Sequence, residues 1–295
     1  MEGTFRIGSD RLTVDVAQPG SSLYSGTRFD WTGFVASVVL DGKHEFTVPE
    51  SYTSDHATNG GMGLCNEFQF NEAYADATAS GQFPKVGVGV LTKNEGEDYA
   101  FMKKYPCELF PTAVEHGSNW ACFTQDALEC NGYAFRQRKL LQVNGDTLTV
   151  RSTLFNTGSK AMHLREYNHN FVAINRRPVD KAYKLFVNSV DPQATFSRKF
   201  SFTGNAENAL LTWVGQPDNP PFTLVQEVGP VCPGYVWQLV HDDEPVGMLE
   251  QDSFTPGYIQ VWAIHHVLST EVFVNLDIQP GESATWSRTW KFFYK

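Results

Sequence analysis

The chain has 295 residues, 41% of them hydrophobic, and carries a net charge of −10 with a pI near 5.3. A folded chain of this length buries roughly 75% of its unfolded surface, and the hydrophobic content argues against a disordered protein. The acidic balance, with no cluster of Lys and Arg, argues against binding the phosphate backbone of nucleic acid. No window approaches about 18 consecutive apolar residues, so no membrane contact through a spanning helix is expected.

The first residues, MEGTFRIGSDRL, have neither the basic stretch nor the apolar core of a signal peptide, so a soluble cytoplasmic protein is expected. Residues 4–18 read as two short strands around Gly8-Ser9-Asp10. Trp31 to Leu40 is apolar and β-branched, and turns at Asp41-Gly42. Residues 67–79 show no sustained helical stripe. Gly87-Val88-Gly89 lacks the rest of a dinucleotide-binding fingerprint and reads as a strand with close backbone packing. Residues 139–158 form the clearest hairpin, with Asn144-Gly145 as a type I′ turn. There Leu148, Val150, Ser152 and Leu154 share one face, and Thr149, Arg151 and Thr153 the other. Further strands are expected at 183–190, 195–203, 209–215, 222–227, 235–241, 257–264, 271–278 and 284–294, with short Pro/Gly turns at 215–221 and 228–234. Many strands with almost no helix predict an all-β fold, a large antiparallel β-sandwich forming a single domain over 1–295.

Cys65, Cys107, Cys122, Cys130 and Cys232 form no CxxC and no short zinc spacing, so buried free thiols are expected. No phosphate-binding loop, metalloprotease motif or nucleophile elbow occurs. His265-His266 reads as a strand end, and His241-Asp242-Asp243-Glu244 as a solvated turn. Neither metal nor cofactor is called for. The stretch EYNHNFVAIN, residues 166–175, is different. It alternates like a strand, yet carries His169 between Asn168 and Asn170, next to Glu166. Buried polar groups need partners, and a hydroxyl-rich ligand would supply them. Histidine is also the usual proton donor or acceptor near neutral pH.

Asn168-His169-Asn170-Phe171 resembles the histidine strand motif of the galactose mutarotase (aldose 1-epimerase) superfamily. Three further stretches resemble that family in the same order: Thr58-Asn59-Gly60-Gly61 its His-Gly-Gly turn, Pro256-Gly257-Tyr258-Ile259-Gln260-Val261-Trp262 its PGxQxY strand, and Pro280-Gly281-Glu282 its terminus. The resemblance implies a large β-sandwich and a small-molecule sugar as ligand, whose anomers are interconverted without metal or cofactor. It makes His169 the catalytic acid, protonating the ring oxygen. The base, which takes the C1 hydroxyl proton from the opposite side of the sugar, is Glu271 or Asp277; the two share strand parity, and Glu271 is preferred. Arg28, Asn59, Glu67, Asn168 and Trp262 are the candidate sugar-binding residues. The chain departs from the family at Asn59, where a sugar-binding histidine is usual, and it lacks the Gly-Tyr-Asp-His segment. Arg28 is the nearest counterpart to the family's arginine. Two alternatives follow: a catalytically silent carbohydrate-binding protein, or a hexose-6-phosphate 1-epimerase using Arg176-Arg177. A monomer or homodimer fits either.

Overall fold

Period-two alternation becomes antiparallel strands. In the Thr147–Asn156 strand, Leu148, Val150, Ser152 and Leu154 are buried, while Arg151 and Phe155 are exposed. The structure, a computed structural model, describes residues 2–52, 59–78, 81–94, 96–188, 200–204, 209–217, 222–227 and 236–295. Among these, the strands form a nine-stranded sheet, a ten-stranded sheet and a small three-stranded one. The first sheet runs from Thr4–Gly8 through Leu12–Ala17, Val35–Leu40, Gly63–Gln69, Met162–Phe171, Val267–Ile278 and Tyr258–Ile264 to Phe222–Glu227. Its inner face packs on the second sheet through a core that joins Val14, Val38, Val261 and Val272 to Leu141, Leu148, Trp290 and Phe292. This is the antiparallel sandwich expected. No helix of the described residues is long and apolar enough to cross a membrane.

Several boundaries differ from expectation for local reasons. The strand expected from Trp31 begins at Val35. Residues before it are held in a turn by Asp30, whose Oδ1 accepts from the Thr32 backbone N–H at 2.7 Å. The hairpin loop is Gly145-Asp146, one residue later than predicted, because Asn144 pairs with Thr147. Gly145 takes φ +57° at the first central position, where a type II′ turn places glycine. A short helix, Asn71–Asp76, follows the Gly63–Gln69 strand. Cys65, Cys122 and Cys130 are buried free thiols and Cys107 is half-buried; Cys232 and most of the expected 195–203 strand lie outside the described residues.

Gly63 opens the strand that carries Cys65 and Glu67. It sits at φ +59°, and a Cβ there would meet the Val35 carbonyl oxygen at 2.0 Å. Gly63→Ala is expected to lose at least about 1–3 kcal/mol of stability, seen as a lower urea midpoint at unchanged m value.

Candidate active site

Strand parity divides the histidine segment between two environments. In Met162–Phe171, the odd residues Tyr167, His169 and Phe171 point to the outer face of the first sheet, and Glu166, Asn168 and Asn170 point between the sheets. Antiparallel register then lines up neighbours. Glu67 pairs with Tyr167 and Cys65 with His169 on one side. On the other, Tyr167 pairs with Phe273, and the same register continues to the Val172–Leu268 bridge, which places His169 opposite Glu271. Gln260 is the next residue across from Glu271. One row on the outer face therefore reads Cys65, His169, Glu271, Gln260, and the adjacent row Glu67, Tyr167, Phe273, Tyr258. The second row is a ring stack, with Tyr167 and Tyr258 at 4.3 and 4.0 Å from Phe273.

His169 Nε2 lies 3.1 Å from Glu271 Oε1, and the two side chains are only 4% and 3% exposed. The imidazole stacks on Phe171 at 3.8 Å and meets Trp262 edge-on at 5.3 Å and Phe29 at 5.9 Å. Burial, reinforced by the Arg28 charge, pushes His169 well below the usual histidine range. Burial pushes Glu271 up to about 8; the Arg28 charge and the Ser269 hydroxyl oppose this, and the Glu67 charge adds to it. The pair thus retains a proton on the carboxyl side at neutral pH, and two groups this close titrate together. Nδ1 of His169 is buried with no hydrogen-bond partner among the described residues. The expectation that acid and base face one another across a pyranose is corrected here. They occupy directly opposed positions on neighbouring strands, so their side chains touch and no ring fits between them.

Beside the dyad is a charged cluster. Arg28 Nε donates to Glu67 Oε2 at 2.6 Å and Nη2 to the Tyr167 hydroxyl at 2.9 Å; the Tyr167 hydroxyl in turn donates to Glu67. Lys85 Nζ lies 3.5 Å from the other Glu67 oxygen and donates to the Phe68 carbonyl at 2.5 Å. Burial alone would raise Glu67, but the Arg28 and Lys85 charges and the Tyr167 and Arg28 hydrogen bonds outweigh it and hold the carboxyl below its ordinary value. The guanidinium is held between the rings of Phe29 and Phe101, at 4.6 and 4.4 Å. A cleft of about 320 Å³ is lined by residues that neighbour Arg28 and Phe101 in sequence, among them Tyr24, Thr27, Met102, Lys103 and Lys104, together with Asn59; Arg28 and the dyad do not line it.

This arrangement sits on a known scaffold. The structure matches a galactose mutarotase-like protein from Lactobacillus casei with a TM-score of 0.60 and 12% identity, covering 99% of this chain and 100% of that one. A galactose mutarotase-like protein from Clostridium acetobutylicum matches at 0.60 and 12%, over 99% and 95%. A galactose mutarotase related enzyme from Lactobacillus acidophilus matches at 0.59 and 11%, over 98% and 97%. The chain has the galactose mutarotase-like fold. No protein-family profile matches its sequence, and neither does any curated protein, which makes it a divergent example of that fold.

On this galactose mutarotase-like scaffold, the sequence-predicted residues separate. His169, Glu271, Trp262, Arg28 and Glu67 come together on the outer face. Asn168 does not: it is buried between the sheets and donates to Asn170 Oδ1 at 2.7 Å. Glu166 and Asn170 likewise serve the second sheet, where Trp286 and Arg288 donate to Glu166 at 3.0 and 2.7 Å and Asn170 reaches Glu250 at 3.2 Å. The polar flanks of His169 are thus satisfied by protein. Asp277 shares the parity of Glu271 but lies six residues along the strand, about 20 Å away, exposed and 3.2 Å from His163. Asn59 lines the cleft and its amide contacts the Met102 sulfur at 2.7 Å. Arg176 and Arg177 are paired with Glu45 and Glu244 instead of lining the site. His265-His266 is the turn between two strands; at 241–244 the expected solvated turn is corrected, since only Asp242 and Asp243 are exposed, while His241 ends a strand and is buried, as is Glu244; no metal cluster occurs among the described residues. Sequence reading missed Tyr167 and Lys85 as site residues. Parity with His169 was a signal for Tyr167; Lys85 reaches in from the three-stranded sheet and gave none.

Proposed function

We propose that this protein binds a cyclic sugar over the outer face of its first sheet and exchanges the sugar's anomers by proton transfer through His169 and Glu271. The observation that carries this reading is the 3.1 Å contact between an imidazole and a carboxyl whose proton affinities are displaced in opposite directions. Such a pair is suited to give one proton and take another.

Mutarotation moves one proton from the anomeric hydroxyl to the ring oxygen, and both oxygens are bonded to the same carbon. An acid and a base side by side can therefore serve them from one edge of the sugar. As the bond from C1 to the ring oxygen opens, Glu271 passes its proton to the His169 imidazole, which gives one proton to the ring oxygen. The carboxylate so formed takes the C1 hydroxyl proton, and the dyad again holds one proton. Rotation of the aldehyde and the reverse transfers close the other anomer. Trp262, half-buried beside the imidazole, offers a ring face or edge to the sugar carbons.

The pH dependence follows from the state of the pair. The working form holds one proton, so the protein-dependent exchange rate should be level near neutrality and fall about tenfold per unit above roughly pH 8. NMR saturation transfer between α and β signals, corrected for the protein-free rate, reads this directly. A rate that rises through pH 8 would contradict a one-proton dyad.

A second reading, a sugar-binding protein without turnover, is favoured by the burial of both dyad side chains. It predicts calorimetric binding of a sugar whose anomer exchange is not accelerated.

A further inference from the structure

Resting on the sugar-site reading above, we infer that the ligand carries a single carboxylate, held by Arg28: a sugar acid instead of a neutral hexose. Three observations lead there. The cluster beside the dyad contains two cations, Arg28 and Lys85, against one carboxylate, Glu67. One positive charge is left over in a nearly closed site, where an unpaired charge is costly. The chain as a whole is strongly acidic, at −10, so a local excess of positive charge is out of character with the surface at large.

The surplus also has an address. Lys85 is spent on the Phe68 carbonyl, the Tyr99 hydroxyl and Glu67. Arg28 uses Nε on Glu67 and Nη2 on Tyr167, and its Nη1 makes no hydrogen bond to any described residue, although the side chain is only 10% exposed. Of the remaining donors, one on Nη1 and one on Nη2 share an edge of the guanidinium, the arrangement that binds a carboxylate in two parallel hydrogen bonds. The cleft contributes in the same sense. Lys103 on its wall is balanced by Glu97, while Lys104 contacts the uncharged Ser25.

The position suits one sugar. Tyr167 and Glu67, which hold Arg28, lie one strand repeat from His169 and Cys65 on the same face, about 7 Å along the strands. A pyranose bridges such a span between its anomeric carbon, over the dyad, and the substituent at the far end of its ring. One surplus charge and one free guanidinium edge match a monoanion. A phosphate, with about −1.5 to −2 charges at pH 7, asks for more cations than the site has left.

The test uses the wild-type protein and matched probes: glucuronate and galacturonate, their uncharged amides, the parent hexoses and the hexose 6-phosphates. Binding is read by calorimetry and anomer exchange by NMR saturation transfer. The uronates should bind at least about tenfold more tightly than their amides, and Arg28→Gln should bring that ratio close to one. Equal binding of acid and amide, or tighter binding of the 6-phosphates, overturns the inference. Exchange of neutral hexoses with no uronate preference would overturn it while leaving the proposed function standing. Uronate-selective binding without exchange would uphold it and contradict the proposed function. Binding of none of the probes would overturn both.

Discussion

Glu271→Gln should lower the protein-dependent rate of anomer exchange by roughly 10²–10⁴-fold, the usual contribution of one positioned proton transfer. The substitution keeps the size of the side chain and its place opposite His169, so the fold should be unaffected. It removes the ability to hold the shared proton and to accept the one from the anomeric hydroxyl. His169→Gln should cost a similar factor. Because the two groups act as one proton-holding unit, the double variant should be little worse than either single one. Exchange rates measured on the four proteins at a fixed sugar concentration check this. Multiplicative losses would show two independent groups, in conflict with a dyad in direct contact.

The second large effect concerns the polar layer between the sheets. Arg288→Met should destabilise the protein by about 3–5 kcal/mol, the cost of leaving buried charge without its partner. Arg288 is 1% exposed and lies 2.7 Å from Glu166, 3.1 Å from Glu250 and 3.7 Å from Asp252. Three acids thus depend on one guanidinium. Burial, and then the neighbouring Glu250 charge, push Asp252 far above the usual carboxylate range; burial also raises Glu250, against the pull of Arg288 and the Trp237 N–H. Acids whose folded-state affinity is raised gain stability as pH falls toward their unfolded value. The loss in Arg288→Met should therefore shrink between neutrality and about pH 5, as the abandoned carboxylates take up protons. Urea unfolding at both pH values measures it. Arg136→Met provides the contrast: Arg136 pairs with Asp126 in full view of solvent, and its loss should leave the midpoint where it was.

That layer explains why the site was only partly legible in the sequence. Alternation and turn residues were enough for the sandwich, because a sheet with one buried face writes a period of two into its strands. Glu271 was named with Asp277 from the family resemblance, and the same period put both on the face of the site. Parity does not measure distance along a strand, however, and so Asp277 looked equivalent although it sits at the exposed far end. Asn168 failed for the opposite reason. A residue adjacent to His169 in sequence lies on the other face of the sheet, and the asparagines that seemed to await a ligand bond to each other and to Glu250. Arg28 and Glu67 were visible as separate candidates. Their ion pair was not, since it joins a loop to a strand 39 residues away. Contact between His169 and Glu271 was likewise invisible until strand register was known, and it closed the expected gap to 3.1 Å.

The measurement that bears most directly on this dyad is anomer exchange itself, by saturation transfer on cyclic sugars and sugar acids in the presence and absence of the protein. Acceleration proportional to protein concentration for at least one of them, lost in Glu271→Gln, is the predicted result. No acceleration for any, or undiminished acceleration by Glu271→Gln, would contradict a proton-transfer role for His169 and Glu271.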